Sequence, residues 1–186
     1  MSQRITNAEF LQRYESEDFG SVILPQEKDL IEKRLADLDA SQRRVVQEKK
    51  DVTGGDDWHD GAFRATDNEA KILSDQASKL GAYLCSTIIE YPDENETRAT
   101  LGSRVTVNQA GDTYDVEIVG VPLLHETAVS DDVMACSIES PLARSIIGKQ
   151  VGHTAIFNVG ERRQQVEIVS VDQTAMQRFL NDELAK

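Results

Sequence analysis

PQEKDLIEKRLADLDASQRRVVQEKKDVT, running from Pro25 to Thr53, is the stretch on which the fold turns. Its apolar residues recur at intervals of seven, Ile31, Leu38, Val45 and Val52 after Leu24, with Leu35 in the second series. This spacing keeps one stripe of a helix apolar, the heptad pattern of helices that pack along one another. Pro25 suits a first helical turn, where its missing N–H would have no partner anyway. No Gly or Pro interrupts Gln26 to Thr53. About 28 residues at 1.5 Å each predict a rod about 42 Å long.

The pattern breaks at Thr53-Gly54-Gly55-Asp56-Asp57-Trp58-His59-Asp60-Gly61 and then resumes. Phe63, Ala70, Ala77 and Leu84 form one series of sevens, with Leu73 and Leu80 in the other. So short a connection predicts a second helix folded back antiparallel on the first. The hairpin is expected to end near Ile89. Its tip, residues 53–61, would hold three carboxylates and the only tryptophan of the chain. Asp57 and Asp60 are three apart, so on a helical turn they share a face with Cβ atoms about 5–6 Å apart. Asp56 points elsewhere. The plainer reading of the tip is a solvated Asp/Gly turn. Trp58 reads as a packing residue at the hairpin end or as an aromatic contact to nucleic acid. Arg43, Arg44, Lys49 and Lys50 concentrate positive charge beside the tip, either as a solvated helix face or as a steering patch for an acidic partner or RNA.

A formal net charge of −13 argues against binding free nucleic acid through its backbone, which needs Lys/Arg clusters. A basic protein surface is the more natural partner. Cys85 in a helical pattern and Cys136 in a strand pattern have no ligand spacing around them and read as buried or half-buried reduced thiols. His59, His125 and His153 are scattered, so no zinc site is expected. No apolar run approaches the roughly 20 residues of a membrane helix, and the N-terminus has no signal-peptide core, so a cytoplasmic protein without membrane contact is expected.

Ahead of Pro25, Thr6 and Glu9 form a capping-box pattern, and Phe10, Leu11 and Tyr14 follow at helical spacing. A short helix ending near Gly20 is expected there. Beyond Ile89, Tyr91 to Glu96 reads as a polar linker. From Leu101 the period becomes two: Arg104 to Val107 and Tyr114 to Ile118 flank an Ala110-Gly111-Asp112 turn, and Val133 to Ile138 is a third strand. Ser140-Pro141 opens a short helix, serine capping and proline in the first turn, with Gly148 placed to end it. His153 to Val159 and Gln164 to Val171 form a last hairpin around Gly160-Glu161, and Thr174 to Leu184 a terminal helix.

At this point the chain resembles the Gre family of bacterial transcript-cleavage and elongation factors, over roughly residues 24 to 171. Ser140-Pro141-Leu142-Ala143-Arg144-Ser145-Ile146-Ile147-Gly148-Lys149-Gln150-Val151-Gly152 is very similar to the signature of that family's second domain. Gly55 to Ala62 resembles its Gly-Asp-x-x-Glu-Asn-Ala tip, with Asp57 at the aspartate, Asp60 at the glutamate and Gly61 at the asparagine. The fold class is then expected to be mixed, α plus α/β in two domains: a long antiparallel coiled-coil hairpin, then an α+β FKBP-like domain with a small antiparallel sheet. The domains would be an N-terminal extension with a short helix (1–24), the hairpin (25–90), a linker (91–100), the FKBP-like domain (101–171) and a helical tail (172–186).

The resemblance implies a monomeric accessory factor rather than an enzyme. Its globular domain would dock at the rim of the RNA polymerase secondary channel through Glu139, Ser140 and Pro141, while the coiled coil reaches inward. There Asp57 and Asp60 would help the polymerase hold a catalytic Mg²⁺ shared between them, so that the backtracked RNA 3′ end is cleaved; DNA would be met only indirectly. Trp58 and the four cations of the first arm would contact RNA or the channel. Asp60 is one methylene shorter than glutamate, and Gly54, Gly55 and Gly61 loosen the turn. That supports an alternative, a Gre-like secondary-channel regulator that inhibits or modulates the polymerase without stimulating cleavage. A prolyl isomerase of the FKBP type is a third reading, set against the scarcity of aromatics beyond Tyr114 and Phe157.

Overall fold

The computed structural model describes residues 3–16, 20–53, 60–91, 95–124 and 133–185, with the side chains of 51–53, 60–63 and 123 left aside. The chain divides into two compact units, one of residues 1–30 with 86–186 and one of residues 31–85.

The first unit opens with strand β1 (Arg4–Ile5) and helix α1 (Asn7–Glu15). The expected capping box is present: the Thr6 side chain accepts from the Glu9 amide, and the Glu9 carboxylate accepts from the Thr6 amide at 2.8 Å. Strand β2 (Val22–Ile23) follows, and helix α2 (Pro25–Thr53) begins at the proline. Ile5, Phe10, Leu11, Val22 and Leu24 all join the core cluster. Residues 1–24, read from sequence as an extension with a short helix, therefore contribute to the hydrophobic interior.

In the second unit, α2 continues and is followed by α3 (Asp60–Ala82). On α2, Ile31, Leu38 and Val45 are buried and Leu35 is half-buried; on α3, Leu80 is buried and Ala70, Leu73 and Ala77 are half-buried. Burial thus follows the alternating three- and four-residue steps of a heptad on both helices. At 29 residues, α2 is about 43 Å long.

The second arm stops earlier than its spacing suggested. After α3, a 3₁₀ turn (Tyr83–Cys85) leads into strand β3 (Thr87–Ile89). Thr87, Ile88 and Ile89 are β-branched, and they form the central strand of a three-stranded sheet ordered β1-β3-β2, parallel on both sides. Cys85, expected to be buried or half-buried, is exposed because it lies beyond the end of α3, whereas Cys136 is buried.

A five-stranded sheet of order β6-β5-β4-β8-β7 forms the remainder: β4 (Arg104–Gln109), β5 (Asp112–Val119), β6 (Val133–Ser137), β7 (Thr154–Val159) and β8 (Arg162–Asp172). The expected all-antiparallel sheet is corrected here, because β5 and β6 run parallel and the sheet is mixed. Residues 120–132 separate the two strands, the dozen or so that a parallel return requires. Helix α4 (Pro141–Ile146) buries Leu142, Ala143 and Ile146, and α5 (Ala175–Leu184) buries Met176 and Leu180. These residues join Val105, Val107, Val116, Ile118, Val166 and Ile168 of the sheet in one core.

The start of α2 is fixed by a buried carboxylate. Glu27 is fully buried. One of its oxygens accepts from the Leu24 amide at 2.8 Å, and the other from the amides of Gly120 and Val121, both at 3.0 Å. Glu27 therefore caps its own helix and ties it to the end of β5. Gly120 is needed for closeness: a Cβ there would lie 2.6 Å from the Val22 carbonyl oxygen and 2.7 Å from Glu27 Oε2.

Two tests follow from this packing. Glu27→Gln, which turns an –NH₂ toward backbone donors, is expected to cost about 2–4 kcal/mol of unfolding free energy, and Gly120→Ala about 2–3 kcal/mol, both read by urea titration. At the β4–β5 turn, Ala110 (φ 55) precedes Gly111 (φ 101), both in left-handed backbone. Ala110→Asn removes the strain of an alanine there and is expected to gain about 0.5–1 kcal/mol by the same titration.

Candidate docking surface and helical arms

Ser140 caps α4 with extended backbone, and its hydroxyl accepts from the Ala143 amide at 3.2 Å, with Pro141 in the first turn as the sequence indicated. The turn leading into it is bonded at each step. The Ile138 amide donates to the Val119 carbonyl at 3.2 Å, the Ser140 amide to the Ser137 carbonyl at 2.9 Å, and the Glu139 amide to the Ser137 hydroxyl at 3.2 Å. Glu139 and Pro141 are exposed and Ser140 is half-buried, above Leu142, Ala143, Ile146 and Ile147, all buried. The three candidate docking residues therefore share one exposed corner whose base is core. Burial holds the Cys136 thiol above its ordinary pKa against the opposing hydrogen bond with Ser140, so it stays a neutral packing group.

Sequence reasoning missed one supporting group. The Tyr14 hydroxyl donates to the Ile138 carbonyl oxygen at 2.9 Å, and its ring lies 5.4 Å from that of Phe10. The i, i+4 spacing of Phe10 and Tyr14 showed which face of α1 turns inward. It did not show what that face meets.

Asp57 and Trp58 lie outside the described residues, as does the side chain of Asp60, whose backbone opens α3. The basic cluster on α2 is described. Arg43 Nη2 is 2.7 Å from Asp39 Oδ2, Arg44 Nε is 3.9 Å from Glu48 Oε1, and Lys49 Nζ is 2.8 Å from Asp67 Oδ1 on α3. Lys50 is exposed in the last turns of α2. Arg43, Arg44 and Lys49 thus face carboxylates of their own unit, which reduces the field they offer to a partner. Among the described residues, no group of three or more His, Cys, Asp or Glu side chains comes together to hold a metal ion. No helix among them is long and apolar enough to cross a membrane.

The Lys49–Asp67 pair bridges the two arms. The hydrogen bond from Lys49, and then its charge, hold the Asp67 carboxyl below its ordinary pKa. A depressed carboxylate contributes stability above its unfolded value and loses it as pH falls through the folded one. Both groups are partly solvated, so the contribution is small. Carboxyl ¹³C NMR is expected to show Asp67 titrating below the usual aspartate range, and Lys49→Met to return it there. An unchanged titration would mean that the pair does not persist in solution.

The model of the family described as transcription elongation factor, GreA/GreB, C-terminal matches residues 94–173, which span the mixed sheet and the Ser140-Pro141 helix. Transcription elongation factor GreA of Streptococcus agalactiae serotype Ia is 30% identical over 157 residues, covering 80% of this chain and 92% of that one. The Bacillus cytotoxicus GreA is 29% identical over 150 residues, covering 77% and 91%. Among solved structures, GreA factor homolog 1 of Thermus thermophilus aligns over 81% of this chain and 97% of its own, at 17% identity and a TM-score of 0.38. The chain belongs to the GreA/GreB family of transcription elongation factors.

Proposed function

We propose that the protein binds RNA polymerase at the rim of its secondary channel and stimulates the polymerase's own cleavage of backtracked RNA. The observation that carries this reading is the pairing of two parts in one family member. One is the exposed Glu139-Ser140-Pro141 corner on a buried base. The other is a pair of heptad-patterned helices that lead toward an acidic stretch, with α2 alone about 43 Å long. In this reading α2 and α3 form an antiparallel coiled coil that spans the channel while the corner holds the rim.

Asp57 and Asp60 would hold a Mg²⁺ shared with the polymerase, since carboxylate oxygens are the hard ligands this ion takes and it is commonly held by only one or two of them. Bound there, the ion supplies charge stabilisation and a more acidic water. The chain's own part is to deliver the two carboxylates to a site it does not itself complete. The protein is thus an accessory factor and a monomer in this role, meeting the RNA 3′ end inside the complex and DNA only indirectly.

A second reading keeps the docking and removes the chemistry, making the protein an inhibitor or modulator of the polymerase. The shorter Asp60 and the three glycines in the tip sequence favour it, because glycine loses more backbone freedom on ordering than other residues.

Stalled, backtracked complexes of the cognate polymerase separate the two. Wild-type protein is expected to accelerate endonucleolytic cleavage, and the Asp57→Asn/Asp60→Asn double variant to lose at least about 100-fold of that stimulation while still binding, a scale typical of lost electrostatic stabilisation. Slower RNA synthesis with no added cleavage by the wild type would select the modulator.

A further inference from the structure

We infer that Tyr14 is a positioning residue for polymerase docking: its hydroxyl holds the Ile138 carbonyl and, through it, the turn that presents Glu139, Ser140 and Pro141. This rests on the docking reading given above. The observation is a single bond across the chain, Tyr14 Oη to Ile138 O at 2.9 Å, between residues 124 apart in sequence.

The bond sits at the foot of the docking corner. The Ile138 amide is anchored to the Val119 carbonyl of β5, so with Tyr14 on its carbonyl the residue is held at both ends. The next two amides, of Glu139 and Ser140, close onto Ser137. A shift of the Ile138 peptide would therefore carry Glu139 and the cap of α4 with it. Tyr14 itself has little freedom. Its neighbour Phe10 is fully buried, and the two rings are packed at 5.4 Å.

Burial pushes the Tyr14 hydroxyl up to about 12, against the pull of Arg144. It remains a protonated donor at every pH at which the protein would act. The contributing residue lies ahead of the part of the chain that resembles the family, roughly 24 to 171, and ahead of the segment the family model matches, 94–173. The N-terminal helix of this chain thus acts as a brace for a surface that the later segment carries.

Tyr14→Phe in the full chain keeps the ring and removes only the donor. By NMR, amide hydrogen exchange at Glu139 and Ser140 is expected to accelerate about fivefold, and the apparent dissociation constant for RNA polymerase to rise about fivefold, the equivalent of one ordinary hydrogen bond. The effect at saturating protein is expected to stay unchanged, because the arms are untouched. Ile168→Val in β8 serves as the comparison: it lowers the melting temperature and leaves the dissociation constant alone, as a merely structural change would.

Unchanged exchange in Tyr14→Phe would overturn the inference. So would an unchanged dissociation constant, provided that Ser140→Ala and Pro141→Ala raise it. If those two docking variants leave binding intact, the docking reading falls and takes this inference with it.

Discussion

A buried carboxylate that accepts three backbone amides is the constraint on which the globular unit depends. Helix α2 begins at Pro25 with amides that its own turns cannot satisfy. Glu27 supplies an acceptor to the Leu24 amide and spends its second oxygen on Gly120 and Val121. A buried carboxyl group is costly unless it is hydrogen-bonded, and here both oxygens accept from backbone amides at 2.8–3.0 Å. The arrangement also dictates chain chemistry elsewhere. Residue 120 must be glycine because Val22 and Glu27 occupy the space of a side chain, so the start of α2 and the residue just after β5 constrain each other.

Much of the architecture was legible because it rests on local signals. The spacing of Ile31, Leu38 and Val45, the Thr6–Glu9 box, the Ser140-Pro141 cap and the Ala110-Gly111 turn each act within a few residues, and each appears where its pattern placed it. What was not legible depends on partners far along the chain. Thr87-Ile88-Ile89 follows a heptad series closely enough to read as its continuation, yet two strands from the N-terminus claim it. Nothing in the β6 sequence says which way it runs, since a parallel and an antiparallel neighbour want the same alternation. Glu27, a charged residue in a first helical turn, carries no local signal that the amides of Gly120 and Val121 lie against it.

The candidate site divides along the same line. Ser140-Pro141 was readable as a helix start, while the docking role of Glu139, Ser140 and Pro141 rests on the resemblance; Glu139 and Pro141 are exposed and Ser140 half-buried over a buried base. The cations of α2 were readable as a cluster but not as partners of Asp39, Glu48 and Asp67, because charge pairing depends on side-chain direction and on the second helix. Asp57 and the side chain of Asp60 lie outside the described residues, so their role rests on resemblance and spacing alone.

The parallel sheet β1-β3-β2 carries a consequence for how the chain is made. Its central strand is encoded after both long helices, so β1 and β2 have no partner until residue 89 has been synthesised. Tyr14 must wait longer, until Ile138 exists. At about 5–20 residues per second, that is an interval of roughly 6–25 s, during which Ile5, Phe10, Leu11 and Val22, all buried in the finished protein, remain without most of their core. The unit of residues 31–85 is contiguous in sequence and needs no partner from the later part of the chain. The apolar residues of the N-terminal segment thus reach their covered state only after most of the chain has been made.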